Sequence, residues 1–151
     1  RVIAVDVSKY RLDLARELGA NEVIDSSSDN AEEVIRELTQ GEGAECTLDA
    51  TGIPEVRIQA VDSAKYWGKV CFVGEGNTTT FDVSAQIIHK QLTILGSWTF
   101  SQAGLSEVAN FVVEKKSPMD KLITHTYCLD EAQKAYEAFI SGETGKVILT
   151  I

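Results

Sequence analysis

Several residue types that mark particular protein classes are scarce in this sequence. Its 151 residues include three cysteines, two prolines, two histidines and one methionine. No apolar run approaches the roughly 20 residues of a membrane span, and the chain opens at Arg1 without a signal-peptide pattern. Three widely spaced cysteines do not make a disulfide framework and favour a reducing compartment. We therefore expect a cytoplasmic protein with no membrane partner.

Positive charge is also in the minority. The 14 Lys and Arg residues face 23 Asp and Glu residues, which gives a formal net charge of −9. An acidic chain is repelled by phosphate backbones and anionic lipids, so we expect no nucleic-acid partner. With 44% apolar residues over this length, the chain has ample material for a buried core.

Strand and helix patterns alternate through the first two thirds of the chain. Short apolar runs without alternation are typical of strands that are buried on both faces. Alternation with short links predicts right-handed crossovers and a parallel sheet covered by helices on both faces, the α/β doubly wound class. The predicted strands are Val2–Asp6, Glu22–Asp25, Cys46–Ala50, Lys69–Val73 and Leu92–Leu95.

Three local signals predict where the intervening helices begin. Ser8 is a candidate N-cap, and Asp29 with Glu32 forms a candidate capping box. Pro54 suits the first position of a helix that we expect to reach Gly68.

The last third of the chain does not simply extend this pattern. Leu105 to Val112 has the spacing of an amphipathic helix. Asp130 with Gln133 predicts the start of another helix, and Lys146–Ile151 predicts a terminal strand. We expect a helix-helix-strand tail.

Asp6 is a candidate binding residue because it ends the first predicted strand. In open α/β sheets the ligand crevice lies at the carboxyl ends of the strands, where a carboxylate accepts hydrogen bonds from both ribose hydroxyls of an adenosine. An acid in this place is also favoured by the N-terminal dipole of the following helix. The residues alone leave both interpretations open.

Strong phosphate-binding and catalytic motifs are absent from the sequence. Gly74-Glu75-Gly76 is followed by no predicted helix, so we expect a turn there rather than a pyrophosphate cradle. His89 and His125 are isolated, and no Cys or His cluster has metal-ligand spacing, so we predict no metal site and no nucleophilic triad. A phospho-accepting receiver domain would need an acid where Val7 stands.

Seven segments stand along the chain in this order: Val2–Asp6, Ser8–Arg11, Glu17–Ala20, Leu48–Gly52, Gly68–Gly74, Leu95–Trp98 and Leu122–His125. This ordered set resembles the zinc-dependent medium-chain alcohol dehydrogenases over the whole length of the chain. Within that family, Gly96-Ser97-Trp98 favours the polyol and threonine dehydrogenase branch.

The resemblance implies a division of the chain and an NAD site. Residues 1–97 would be an incomplete Rossmann domain, without its first strand and glycine-rich turn, and 98–151 would return to the catalytic domain. The zinc ligands would precede Arg1, and no residue present matches a catalytic or metal-binding position. The implied cofactor-binding residues are Asp6 and Arg11 at the ribose, Ala50 and Thr51 at the adenosine, Val73, Gly74, Ser97 and Trp98 at the nicotinamide side, and Lys146 at the pyrophosphate.

Two functional hypotheses follow from this resemblance. The first is the cofactor-binding portion of an NAD-dependent oxidoreductase that acts on a small alcohol or polyol. The second is a Rossmann-like fragment or interaction module without activity of its own. An S-adenosylmethionine-dependent methyltransferase also places an acid after its second strand, but residues 92–151 give that alternative no support. The family also pairs protomers through the strand matching Leu92–Trp98, so we expect a homo-oligomer.

Overall fold

The computed structural model describes residues 1–99 and 101–151, which form strands connected by helices. The strands are β1 (Ile3–Asp6), β2 (Glu22–Asp25), β3 (Ala44–Asp49), β4 (Ala64–Phe72), β5 (Thr93–Gly96), β6 (Ile123–Cys128) and β7 (Lys146–Thr150). The α-helices are α1 (Lys9–Glu17), α2 (Ala31–Leu38), α3 (Pro54–Ser63), α4 (Gln102–Lys115) and α5 (Ala132–Ile140). A π-helix covers Val83–Ile88, and short 3-10 turns cover Met119–Leu122 and Leu129–Glu131.

The described residues divide into two compact units. One contains residues 1–29 and 101–151, and the other contains Asn30–Thr99. In the first unit β1 pairs with β2 and β6 pairs with β7, whereas the second unit is a three-stranded sheet of order β3-β4-β5. All of these pairings are parallel. Parallel neighbours need a crossover connection, which the helices supply.

Helix α1 begins and ends where its local sequence predicts. The Ser8 side chain accepts a hydrogen bond from the Arg11 amide. At the other end Gly19 has a φ of 102°, and the Gly19 and Ala20 amides donate to the carbonyls of Arg16 and Ala15. This pair of bonds is a Schellman motif, which requires the left-handed conformation that glycine adopts at no steric cost.

Helix α2 begins one residue later than the predicted capping box. Its N-cap is Asn30, whose Oδ1 accepts from the amides of Glu32 and Glu33 at 3.1 and 3.4 Å. The Asp29 amide instead donates to the Asp25 carbonyl, which places Asp29 in the turn that precedes the helix. The prediction of Asp29 as the cap was therefore wrong, because two residues with capping side chains are adjacent and the turn selects the second.

Replacing Asn30 by alanine should destabilise the protein by about 1 kcal/mol, because two helix amides lose their acceptor. Asp29→Ala is the matched control and should change stability by less than about 0.5 kcal/mol. Urea unfolding of both variants measures the difference. Equal losses in the two variants would contradict the assignment of the cap.

Helix α3 is shorter than predicted. Pro54 does begin it, but the helix ends at Ser63 and β4 starts at Ala64, so the expected end at Gly68 was wrong. The Lys90 ammonium donates to the carbonyls of Val61 and Asp62 at 2.8 and 3.0 Å. This distant side chain thus satisfies carbonyls of the last turn, which an ending helix leaves without intrahelical partners.

The start of α5 also differs from the prediction. A 3-10 turn precedes the helix, and its N-cap, Glu131, makes no side-chain capping bond. Gln133 donates to Glu137 within the helix at 3.1 Å rather than closing a box with Asp130. The prediction of an Asp130–Gln133 cap was therefore wrong.

The buried core of the second unit lies between α3 and β4. Val61, Ala64 and Val70 are almost fully buried, and partly buried apolar residues that include Phe72 and Phe81 pack against them. The two phenylalanine rings stack with their centroids 6.0 Å apart. This cluster fixes α3 against the sheet and so determines where the loops after β3 and β4 emerge.

The tail runs helix, strand, helix, strand: α4, β6, α5 and β7. The predicted helix-helix-strand order therefore missed β6, which pairs with β7. Helix α4 is capped by Ser101, whose side chain accepts from the Gly104 amide. Within residues 1–99 and 101–151, every helix is too short or too polar to cross a bilayer.

Candidate functional site

The three strands of the second unit end side by side. Asp49 is in register with Phe72, and Phe72 is in register with Gly96, and each is the last residue of its strand. Parallel strands in this register place their following loops at one edge of the sheet. The loops contain six of the nine residues predicted to bind cofactor: Ala50, Thr51, Val73, Gly74, Ser97 and Trp98.

An open crevice of about 610 Å³ lies at this edge. Val73, Gly74, Ser97 and Trp98, the four residues predicted for the nicotinamide side, all line it. Arg57 of α3 also lines it, although the sequence analysis did not single out this residue. The register of β4 and β5 therefore brings Val73 and Trp98 to the same crevice, although they are 25 positions apart in the sequence.

Asp49 organises the turn that follows β3. Asp49 is only 1% exposed. Its Oδ1 accepts hydrogen bonds from the amide and the hydroxyl of Thr51 at 2.9 and 2.7 Å. Oδ2 accepts from the Gly52 amide at 3.2 Å. Burial raises the pKa of Asp49, but the hydrogen bonds from Thr51 and Gly52 and the charge of Arg57 outweigh it, so the pKa lies below its usual value. Asp49 is thus an ionised structural anchor at neutral pH.

Two glycines let the loops after β3 and β4 touch through their backbones. A Cβ on Gly74 would overlap the Gly52 amide nitrogen and lie 2.6 Å from the Thr51 nitrogen. Gly52 has a φ of 71°, and a Cβ there would overlap the Glu75 carbonyl oxygen. The amides of Val73 and Gly74 also donate to the Asp49 carbonyl at 2.9 and 3.1 Å. Gly74 therefore lies in an irregular loop that packs tightly on the loop after β3.

Arg57 holds the loop after β4 through four hydrogen bonds. Its Nη2 donates to the carbonyls of Gly74 and Gly76 at 2.7 and 2.8 Å. Its Nη1 donates to the Asn77 carbonyl and the Thr79 hydroxyl at 3.2 and 3.3 Å. The sequence contained only an indirect signal for this role of Arg57. The polar loop after β4 has no regular structure, so its carbonyls need hydrogen-bond donors from elsewhere.

The remaining three predicted residues lie in the first unit. Asp6 ends β1, and its Oδ1 accepts from the Ser8 amide at 2.8 Å and from Arg11 Nε at 3.1 Å. Arg11 Nη2 lies 3.0 Å from the same oxygen. Lys146 begins β7 and is exposed.

Both interpretations of Asp6 have a counterpart in this geometry. Oδ1 closes the turn before α1, which is the structural role of an acid at a helix start. Oδ2 accepts no hydrogen bond within the described residues, and the side chain is 31% exposed. Asp6 therefore retains a carboxylate oxygen that could accept a hydrogen bond from a hydroxyl group.

Histidine, cysteine and carboxylate side chains form no cluster of three or more that could hold a metal within residues 1–99 and 101–151. His125 lies in β6, where its Nδ1 is 2.9 Å from the Thr124 hydroxyl, and His89 is exposed beside the π-helix.

A family model identifies the chain from its sequence. The model for zinc-binding dehydrogenases matches residues 1–114. The chain belongs to this family. The resemblance inferred from the ordered segments is therefore confirmed.

Curated members of the zinc-binding dehydrogenase family match nearly the whole chain. An uncharacterized zinc-type alcohol dehydrogenase-like protein, YphC of Escherichia coli K12, is 35% identical over 99% of this chain and 42% of its own length. The L-threonine 3-dehydrogenase of Shewanella putrefaciens is 33% identical over 99% of this chain and 44% of its own length. The chain thus spans less than half the length of these relatives.

Solved dehydrogenase structures confirm the fold class. Benzyl alcohol dehydrogenase from Acinetobacter calcoaceticus superposes with a TM-score of 0.88 at 34% identity, over 99% of this chain and 42% of that protein. A protein described as a short chain alcohol dehydrogenase from Escherichia coli CFT073, solved with NADH, superposes with a TM-score of 0.87 at 25% identity. The match covers 100% of this chain and 44% of that protein. The α/β, Rossmann-like architecture predicted from the sequence is the architecture of these enzymes.

Proposed function

We propose that these residues form the NAD-binding portion of a zinc-type dehydrogenase that transfers hydride between nicotinamide and a small alcohol, polyol or ketone. The observation that carries the proposal is the crevice at the carboxyl ends of β3, β4 and β5. Ligands of open α/β sheets bind at such edges. Residues 1–97 supply the incomplete cofactor domain and 98–151 the segment that returns to the catalytic domain.

The residues present fit a dinucleotide. Gly52 and Gly74 carry no side chains, so the two loops approach each other through their backbones at this edge. Ala50 and Thr51 border the adenosine, and Val73, Gly74, Ser97 and Trp98 border the nicotinamide. Lys146 contributes a positive charge for the pyrophosphate.

NAD rather than NADP is the proposed cofactor. The Asp6 carboxylate accepts hydrogen bonds from ribose hydroxyls and repels a 2′-phosphate. Arg11 would favour the phosphate, but its guanidinium is paired with Asp6. A structural neighbour, the Escherichia coli CFT073 dehydrogenase, was solved with NADH, which supports the assignment.

Cofactor preference tests the proposal directly. A chimera is made by joining this chain to the part of the Shewanella putrefaciens relative that precedes the matched region. Its rates of NAD reduction and NADP reduction are then compared. We expect NAD to be preferred, and Asp6→Asn to lower kcat/KM for NAD by about tenfold, the effect of losing one charge-assisted hydrogen bond. Asp13→Asn, on the exposed face of α1, is the control and should leave the preference unchanged. A preference of the parent chimera for NADP would refute the assignment.

The 151 residues alone are expected not to oxidise alcohols, with or without added zinc. When bound, zinc acts as a Lewis acid on the reacting oxygen, and the resemblance places its ligands in a segment that precedes Arg1. This chain's own residues would bind and orient the cofactor. Turnover of any alcohol by the purified 151-residue chain would overturn this division of roles.

The proposed assembly is a homo-oligomer through Leu92–Trp98. Strand β5 pairs with β4 on one side, and all four of its residues are exposed, including Ile94 and Leu95. An exposed apolar edge strand is a template for pairing with a second copy. Leu95→Lys should shift sedimentation toward a monomer, whereas Val108→Lys on α4 should not. A monomeric parent chain would refute the proposal.

A further inference from the structure

Arg57 has contacts beyond those of an ordinary surface arginine. Its side chain is 13% exposed, and its four loop hydrogen bonds occupy both terminal nitrogens. Its Nε is buried without a hydrogen bond and lies 3.5 Å from Asp49 Oδ2, whose side chain is fully buried. A planar guanidinium presents such a fixed fork of donors, and a lysine ammonium does not.

The partners of Arg57 connect it to two different loops. Asp49 fixes the turn Thr51–Gly52 after β3, and the four acceptors lie in Gly74–Thr79 after β4. Asn77 adds a direct link, since its side-chain amide donates to the Gly52 carbonyl at 3.0 Å. The loops are therefore connected by the Asp49–Arg57 pair, by Asn77 and by the glycine packing.

The two loops also carry residues that our proposed function assigns to opposite ends of the cofactor. Ala50 and Thr51 are assigned to the adenosine, and Val73 and Gly74 to the nicotinamide. Arg57 lies beneath both loops and lines the crevice, and its direct bonds go to the nicotinamide side. A shift of about 1 Å in such a loop is enough to misplace a reacting group.

We propose that Arg57 is a positioning residue that holds the Thr51–Gly52 turn and the Gly74–Thr79 loop as one rigid body, and thereby fixes the nicotinamide side of the crevice. The inference rests on the proposed function for the identity of the ligand. The rigidity itself does not depend on any ligand.

Amide hydrogen exchange of the 151-residue chain tests the rigidity. Arg57→Lys keeps the charge beside Asp49 but loses the fork, and Arg57→Met removes both. We expect either variant to raise exchange by about tenfold or more at the Gly52 and Gly74 amides, consistent with the loss of at least one charge-assisted hydrogen bond. Amides within β3 and β4 should stay protected. Arg36→Lys, at an exposed pair with Glu32 on α2, is the control and should leave exchange at both amides unchanged.

A second variant keeps the test decisive if Arg57→Met does not fold. Asn77→Gly removes the direct link to Gly52 and tolerates the positive φ of 56° at this position. It should raise exchange at Gly52 while the buried pair stays intact. Parent-like exchange at Gly52 and Gly74 in Arg57→Lys would overturn the inference, and so would a rise at Gly74 alone.

Nicotinamide mononucleotide provides the readout that a purely structural role would not move. In the folded Arg57→Lys variant, we expect this probe to lose its chemical-shift effects at Gly74 and Ser97, which it retains in Arg36→Lys. Retained effects in Arg57→Lys would overturn the positioning role. If the parent chain shows no effect at either residue, the proposed function fails at this crevice, whereas the exchange data still decide whether Arg57 couples the loops.

Discussion

Replacing Asp49 by asparagine is expected to lower the free energy of unfolding by about 3–5 kcal/mol, because a buried charge then loses its partner. The carboxylate is 1% exposed and accepts three hydrogen bonds from Thr51 and Gly52. Once Asp49 has lost its charge, the Arg57 guanidinium, whose side chain is 13% exposed, has no other anionic partner among the described residues. Urea or thermal unfolding measures the loss.

Glu45→Gln is the matched control for this substitution. It makes the same change from carboxylate to amide in the same unit, at the exposed pair between Glu45 and Lys65. An exposed ion pair contributes about 0–1 kcal/mol, so this variant should remain close to the parent. Losses of similar size in the two variants would show that the Asp49–Arg57 pair is not a principal support of the site.

The pH dependence of stability provides a second test of Asp49. Its pKa is lower in the folded protein than in the unfolded chain, so the unfolded state binds the proton first as the pH falls. The stabilisation is fully present above the unfolded value of about 3.9 and is lost as the pH falls through the lower folded value. The difference in stability between the parent and Asp49→Asn should therefore narrow in acid. A difference that is constant from pH 7 to the acid limit would contradict this.

Gly74→Ala is expected to lower stability by about 3 kcal/mol, at the upper end of the range for overpacking. The added methyl group would overlap the Gly52 amide nitrogen. Neither loop can easily shift, because Asp49 accepts hydrogen bonds from the backbone amides of both Gly52 and Gly74. Relief requires the two loops to separate, so the crevice should lose its shape as well. Thermal unfolding and amide exchange at Gly52 measure these two effects.

Gly96→Ala is the control for the glycine prediction. Gly96 lines the same crevice, but a Cβ there would have no atom within 4 Å. This variant should stay within about 0.5 kcal/mol of the parent. If Gly74→Ala is as stable as Gly96→Ala, the close approach of the two loops is not a constraint on the fold.

Much of the fold follows from local signals in the sequence. Ser8 and Gly19 are sufficient to fix the ends of α1, because both act on amides or carbonyls within six residues. The end of α3 is different, since carbonyls of its last turn accept from the ammonium of Lys90, which is 27 positions beyond Ser63. A long-range bond of this kind leaves no pattern near the helix, so the prediction continued to the next glycine.

The candidate site divides in the same way. Residues at strand ends, such as Asp49 and Gly74, are predictable in position because parallel strands share one edge. The partners of Arg57 are not predictable, because four of its bonds depend on the path of a loop that has no regular structure. Lining residues at the strand ends could therefore be predicted from the sequence, whereas Arg57 could not.

The most direct test of the proposed NAD site is a titration of the isotope-labelled 151-residue chain with NAD, followed by NMR. We predict chemical-shift changes at Asp6, Thr51, Gly74, Ser97 and Lys146, with a dissociation constant in the millimolar range. Binding is expected to be this weak because the resemblance places the glycine-rich turn for the pyrophosphate in a segment that precedes Arg1, and a millimolar complex needs about 4 kcal/mol. Changes confined to residues away from the carboxyl ends of the strands, or a micromolar dissociation constant, would contradict the account.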